Sequence, residues 1–164
     1  MNTSSAADKI IKSPKYLVCV DTKPECRVAL KLACMKARER RGMVDMLHVV
    51  APADFQTLGA VADRMREERR QEGEILLKEL ADEASAEHGI TPSMILREGI
   101  TGDEIVAAAM EDHDVIMLVM GISLQSSSRG KLMAWMASQL GHKLLIPILM
   151  VPGNLTDQQL ASLV

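Results

Sequence analysis

Aromatic side chains are almost absent from this chain of 164 residues, in which Tyr16, Phe55 and Trp135 are the complete set. An interior without rings must be filled by aliphatic side chains and by the 12 methionines, whose unbranched side chains adapt to irregular gaps. With 48% hydrophobic and 25% charged residues, the composition is that of an ordinary globular protein with enough apolar material for a core.

Long apolar runs, excess positive charge and paired cysteines are also missing. No apolar run approaches the ~20 residues that span a bilayer, and the N-terminus lacks the apolar centre of a signal peptide. A net charge of −3 gives no general attraction to nucleic acid or to an anionic membrane surface. Cys19, Cys26 and Cys34 form no CxxC pair and no ligand spacing with histidine, which predicts reduced thiols and no metal site. We therefore expect a cytoplasmic protein without a nucleic-acid or membrane partner.

Apolar runs of strand length alternate with segments of helical periodicity along the chain. The predicted strands are 16–21, 43–50, 94–97, 114–121 and 144–151. The predicted helices are 24–41, 59–87, 102–112 and 132–142. This alternation predicts an open parallel sheet covered by helices on both faces. We expect that α/β domain at residues 14–152, between a flexible arm at 1–13 and a tail at 153–164 that can form a short helix.

Several boundaries carry specific signals. Thr101 and Glu104 have the spacing of a capping box for the third predicted helix, and Thr156 and Gln159 repeat it in the tail. Pro147 restricts the last strand to a sheet edge or to its own first residues, because proline cannot donate to a strand ladder.

Glycines divide the helical segments. Gly42 is expected to end the first helix and Gly89 the second, whereas Gly73 inside the second weakens the expectation of a continuous helix. Residues 64–74 of that helix are almost entirely charged, which indicates either a solvated helix face or a surface for a protein partner.

Two polar features follow predicted strands and indicate where a ligand would bind. Asp21 ends the first strand, and a Gly/Ser-rich segment at 121–131 follows the fourth. If those strands are neighbours, both features face one crevice at the carboxyl edge of the sheet. A carboxylate there can accept from the amine of adenine, and backbone amides before a helix can hold phosphate. Alternatively, Asp21 only caps the next helix and the serines only form a polar loop with a helix-capping residue.

A set of segments in this order and at these spacings resembles the universal stress protein family over nearly the whole chain. The segments are Val20-Asp21, Arg27-x-Ala29-Leu30, Leu47-His48-Val49-Val50, Arg97-Glu98-Gly99, Asp103-Glu104-Ile105, Asp114 to Gly121 and Ile146 to Val151.

The resemblance implies a Rossmann-like sheet of five parallel strands in the order 3-2-1-4-5, and a cytoplasmic role in stress response or regulation. It also implies a homodimer formed through strand five, Leu145 to Val151, and ATP or AMP as ligand, with Mg²⁺ accompanying ATP. The cofactor-binding residues that it implies, together with the polar residues before the fourth helix, are Val20, Asp21, Thr22, Val49, Val50, Met120, Gly121, Ser123, Arg129, Gly130, Lys131 and Trp135.

The phosphate-binding pattern of the family, G-x2-G-x9-G-(S/T), is altered here. Gly121 keeps the first position, but Leu124, Ala134 and Trp135 occupy the other three. Leucine adds apolar bulk where a triphosphate would lie, and tryptophan replaces a small hydroxyl donor with a large ring that keeps one N–H. The segment Ser126–Lys131, with three hydroxyls, two cations and one glycine, is a substitute anion site.

Three functions follow, in this order of preference. The first is a regulatory dimer with a degenerate adenine-nucleotide site and weak or no ATP binding, acting on protein partners that the sequence does not identify. The second is an ATP- or AMP-binding switch that uses the segment Ser126–Lys131 for phosphate. The third is a slow ATP-hydrolysing enzyme, against which the sequence lacks a P-loop and a nucleophile elbow.

Overall fold

The structure, a computed structural model, describes residues 13–52 and 59–164, with the side chains of Ser126, Ser128 and Arg129 outside the description. The strands are β1 (Lys15–Cys19), β2 (Met43–Val50), β3 (Ser93–Glu98), β4 (Val115–Ile122) and β5 (Ile148–Pro152). The helices are α1 (Glu25–Glu39), α2 (Ala60–His88), α3 (Thr101–Glu111), α4 (Ser126–Gln139) and α5 (Asp157–Ala161). The predicted alternation of strands and helices is confirmed.

The five strands form one parallel sheet in the order β3-β2-β1-β4-β5, as the sequence led us to expect. β1 is the central strand, and both of its faces are covered. Val18 packs on the side of α1 and α2, and Leu17 packs on the side of α3 and α4, each with 0% of its surface exposed. A strand buried on both faces needs a continuous apolar run, which explains the sequence of β1.

The middle of α2 crosses the sheet at Gly73. A Cβ at this residue would stand 2.8 Å from Cδ1 of Leu96 and 2.9 Å from Cδ2 of His48, so the glycine allows the helix to lie close to β2 and β3. The helix continues through Gly73 without interruption and ends at Gly89 in a left-handed conformation with φ of 66°. The glycine that weakened the expectation of continuity is therefore a packing residue.

The half of α2 before Gly73 has no buried residue and carries its own ion pairs. Arg64 lies 3.1 Å from Glu68, and Arg66 lies 2.7 Å from Glu98 at the end of β3. Exposed pairs of this kind contribute only about 0.3–0.5 kcal/mol each. The geometry agrees with a solvated helix face, and a protein partner for this surface stays a prediction.

Several predicted boundaries were wrong. The capping box at α3 does not form, because Ile100 is the N-cap residue and the Glu104 side chain pairs with Arg97 at 3.5 Å. Gly42 does not end α1, because Arg41 takes the left-handed conformation and Gly42 packs against Pro14.

The third error concerns the segment before the fourth helix. The predicted loop at 122–131 ends at Gln125, and Ser126 to Lys131 form the first turns of α4. β5 is likewise shorter than predicted, beginning at Ile148 directly after Pro147. The position of Pro147 fits a residue that cannot donate within a ladder, and β5 is an edge strand.

The tail forms α5 on the side of α1. Both hydrogen bonds of the predicted capping box are present, from the Gln159 amide to Thr156 Oγ1 at 3.3 Å and from the Thr156 amide to Gln159 Oε1 at 2.9 Å. Leu160 is buried, and Lys36 Nζ donates to the Leu163 carbonyl. The division of the chain at residues 13 and 152 stays a prediction.

Candidate functional site

A cleft of about 390 Å³ opens at the carboxyl ends of β1, β2 and β4. Its volume lies within the usual range for small-molecule sites. The residues that line it are Cys19, Val20, Asp21, Lys23, Glu25, Cys26, Leu47, His48, Val49, Thr101, Ile105, Met120, Gly121, Ser123, Leu132 and Trp135.

The strand order produces this cleft. β1 pairs in parallel with β2 on one side and with β4 on the other, and Cys19 lies opposite Met120. The chain leaves β1 toward one face and leaves β4 toward the other, so the two connections separate and leave a crevice between them. Asp21 and Gly121, which follow these partners, both line the cleft.

The Asp21 carboxylate organises the turn between β1 and α1. Its Oδ1 accepts from the Lys23 backbone amide at 2.9 Å, as aspartate does in tight turns. The N-cap residue of α1 is Pro24 rather than Asp21. The interpretation of Asp21 as the helix cap is therefore wrong in detail. Asp21 lies three residues before Pro24, where its carboxylate stabilises the turn that leads into α1, and it lines the cleft wall.

Glycine is required at residue 121 for a structural reason that does not involve phosphate. A Cβ at this residue would stand 2.4 Å from the Glu25 carbonyl oxygen and 2.5 Å from the carbonyl carbon. The first turn of α1 thus packs directly on the end of β4. The presence of Gly121 at the first position of the family pattern therefore does not by itself indicate a phosphate site.

The other positions of that pattern carry side chains without strain. Among the described residues other than glycine, only Arg41 has a positive φ, so Leu124 tolerates its Cβ. Leu124 is 50% exposed and does not line the cleft. Trp135 does line it, half-buried in the apolar layer of α3 and α4 together with Leu132 and Ile105.

His48 forms part of the cleft wall, although it is not among the residues that the sequence indicated for the site. Its Nδ1 lies 2.8 Å from the Val20 carbonyl oxygen. Because a carbonyl can only accept, Nδ1 carries a proton and the ring is held in a fixed orientation. The Val20 carbonyl, part of the predicted adenine site, therefore already has one partner.

Two thiols also line the cleft, and both are kept protonated. Burial raises the pKa of Cys19 to about 12. Burial also raises the pKa of Cys26, whose Sγ donates to the Asp21 carbonyl at 3.1 Å. All three cysteines are free, as expected. A thiol that stays protonated near neutral pH is a weak nucleophile, so these residues serve packing rather than covalent chemistry.

The structure brings together seven of the twelve predicted cofactor-binding residues. Those in the cleft wall are Val20, Asp21, Val49, Met120, Gly121, Ser123 and Trp135. Thr22, Val50, Gly130 and Lys131 are described but do not line it, and the side chain of Arg129 lies outside the description. Gly130 and Lys131 lie within α4, because α4 begins before them.

Two of the cleft residues that the sequence did not indicate are the first residues of helices. Glu25 opens α1 and Thr101 opens α3. In a parallel α/β sheet every crossover helix begins at the carboxyl edge, so the topology places both residues beside the cleft. The signal for Glu25 and Thr101 in the sequence is their position at the start of predicted helices, in addition to the strand ends that indicated Asp21 and Gly121.

No group of three or more His, Cys, Asp or Glu residues within 13–52 and 59–164 has the arrangement of a metal site. None of the helices in these ranges is long and apolar enough to cross a membrane.

An open parallel sheet with a cleft where the connections separate defines the class of nucleotide-binding α/β folds. A sequence model described as "Universal stress protein family" matches residues 14–152. The chain therefore belongs to the universal stress protein family. No curated protein matches the chain.

Solved structures with the same fold include several universal stress proteins. UspA from Lactobacillus plantarum has a TM-score of 0.70 and 14% identity, over 85% of this chain and 98% of that one. A universal stress protein from Archaeoglobus fulgidus in complex with dAMP has a TM-score of 0.61 and 21% identity, covering 87% and 99%. A family protein from Arabidopsis thaliana with AMP bound has a TM-score of 0.59 and 18% identity, covering 85% and 91%.

Proposed function

We propose that this protein is a cytoplasmic stress-response regulator whose cleft is a degenerate adenine-nucleotide site with weak or no affinity for ATP. Family membership supports a role in stress response, and relatives with AMP or dAMP support an adenine ligand. The observation that carries the weak-ATP part is the charge of the cleft wall. Its described charged residues are Asp21, Glu25 and Lys23, so carboxylates outnumber cations along the wall that a bound nucleotide would face.

A phosphate-binding switch is the second candidate, supported by the start of α4. The backbone N–H groups in the first turn of a helix, here from Ser126, are unpaired within the helix and favour anions. In that case the phosphates lie against the first turn of α4 and not in a flexible serine loop.

Titration with ATP and Mg²⁺, followed by Trp135 fluorescence and by calorimetry, separates the two candidates. The regulator predicts no binding, or binding weaker than about 100 µM. Tighter binding that is lost in Asp21→Ala overturns the regulator and establishes the switch. Asp63→Ala, which removes an exposed acid of α2, is the matched control and leaves either result unchanged.

We also propose that two copies pair through β5 and the residues before it, Leu145 to Val151. β5 is the outer strand of the sheet, and no other strand in the described part of the chain pairs with its second side. Leu145, three residues before β5, is 79% exposed. Leaving such an edge bare favours aggregation, which a defined dimer prevents.

Sedimentation velocity at micromolar concentration tests the dimer. Leu145→Lys is expected to shift the protein toward monomer, because two lysines would meet across a symmetric interface. Leu163→Lys is the control, since Leu163 is 50% exposed and lies after α5, where its carbonyl accepts from Lys36 of α1. A wild-type monomer contradicts the proposal.

A further inference from the structure

The cleft wall combines an apolar side with an acidic rim. Leu132, Trp135, Ile105 and Met120 belong to the apolar layer of α3 and α4. Asp21 and Glu25 are half-buried, whereas Lys23 is exposed and can extend its ammonium into water. With two carboxylates and one ammonium, the described side chains give this wall a net charge of −1.

The wall offers both acceptors and donors, and the donors include the Lys23 ammonium and the Trp135 N–H. The Asp21 and Glu25 carboxylates serve as acceptors in this wall. The Val20 carbonyl already accepts from His48 at 2.8 Å. Hydroxyls come from Thr101 and Ser123, and Ser123 Oγ accepts from the Gln125 amide. A ligand that fits this wall presents donors, such as amines or hydroxyls, and brings no negative charge.

We propose that the cleft selects an uncharged nucleoside over its phosphorylated forms. This inference rests on the proposed function, namely that the cleft takes an adenine ligand. The flat base lies on the apolar side formed by Trp135 and its neighbours, and amine or ribose hydroxyl groups donate to Asp21 and Glu25. Each phosphate instead brings negative charge toward two carboxylates, one of them in the first turn of α1, where it cancels the attraction of the helix end for anions.

Glu25 is the residue through which the selectivity can be changed. Its Cγ packs beside Gly153, where an added Cβ would stand 2.5 Å away, and an isosteric change at residue 25 preserves that packing. Glu25→Gln removes one negative charge without changing volume. Glu39→Gln is the matched control, because Glu39 is an exposed acid in the last turn of the same helix.

The experiment is a calorimetric titration of adenosine, AMP and ATP with Mg²⁺ at low ionic strength, where charge effects are largest. For the wild type, adenosine is expected to bind at least about tenfold more tightly than ATP, with AMP between them. In Glu25→Gln the ratio of the ATP and adenosine dissociation constants is expected to fall about threefold or more, and in Glu39→Gln to stay unchanged.

The outcomes separate this inference from the proposed function. If adenosine does not bind, or binds no better than ATP while ATP stays weak, the selectivity is wrong and the weak-ATP regulator stands. If ATP binds more tightly than about 100 µM, the weak-ATP regulator is overturned, and the selectivity is overturned with it unless adenosine binds at least about tenfold more tightly than ATP. If adenosine binds more tightly but Glu25→Gln leaves the ratio unchanged, the assignment of selectivity to the acidic rim is wrong.

Discussion

Gly121 at the end of β4 lies in direct contact with Glu25 in the first turn of α1, so close that a Cβ would overlap the Glu25 carbonyl at 2.4 Å. The contact joins the strand and the helix that form opposite sides of the cleft. Because the contact is between two backbone segments, there is no flexible side chain that could move aside. Any side chain at residue 121 must therefore displace α1 or β4.

Gly121→Ala is accordingly expected to destabilise the protein by about 1–3 kcal/mol, the usual cost of overpacking. Urea unfolding measures this free energy. Gly130→Ala is the matched control, because a Cβ there meets nothing within 4 Å and alanine favours the helix interior of α4 by about 0.5–1 kcal/mol. Equal stability of Gly121→Ala and wild type would show that the two elements separate readily.

The fold could be predicted because it depends on patterns that many residues share. Leu17 and Val18 face opposite sides of the sheet and are both fully buried, so the apolar run around them could only be a central strand. The start of α4 could not be predicted from its residues. Serine and glycine are weak helix formers, and Ser126–Gly130 has the composition of a loop.

The site was predicted from strand ends and only in part. Asp21 lies just beyond β1 and Gly121 lies at the end of β4, so the strand order places them together. Glu25 and His48 were missed for different reasons. Glu25 reaches the cleft because α1 begins there, and His48 reaches it because its ring bonds the Val20 carbonyl across two strands. Contacts of this kind, between residues that are far apart in the sequence, cannot be predicted from the sequence pattern.

Thr156→Ala is expected to loosen α5, because the Thr156 hydroxyl accepts from the Gln159 amide at 3.3 Å. Losing an N-cap of this kind costs about 1 kcal/mol. The Leu160 amide, which donates to the Thr156 carbonyl, should then exchange with solvent about fivefold faster, as measured by NMR hydrogen exchange. Thr101→Ala is the control, since Thr101 is not a cap in α3. An equal effect of both variants would contradict the capping role.

The pair of Lys15 and Asp112, with Nζ and Oδ2 2.6 Å apart, makes stability depend on pH at the acid end. Its hydrogen bond lowers the pKa of Asp112 below the ordinary value of 3.8. The stabilisation that this pair gives to the folded state is therefore complete above pH 3.8, and it is lost as the pH falls through the lower pKa of Asp112 in the folded protein. Both side chains are partly exposed, so we expect at most about 1 kcal/mol.

Urea unfolding of wild type and Asp112→Asn measures this contribution. The difference in unfolding free energy between the two should be present at pH 6 and should shrink steadily below about pH 4. Asp157→Asn gives a comparison, because Asp157 pairs with Lys31 at 2.6 Å but has 83% of its side chain exposed. A difference that persists unchanged at pH 2 would mean that Asp112 acts through packing rather than charge.

Thiol reactivity tests the burial of the cleft wall. The pKa values of Cys19 and Cys34 are raised to about 12 and that of Cys26 is also raised, so at pH 8 almost none of these thiols is ionised. Since the thiolate is the reactive form, a disulfide reagent such as DTNB should modify the folded protein slowly and all three thiols rapidly in urea. Cys19→Ser should leave the slow folded-state reaction unchanged. Fast modification of one thiol in the folded wild type, lost in Cys19→Ser, would show that the cleft admits the reagent and that burial does not keep Cys19 protonated.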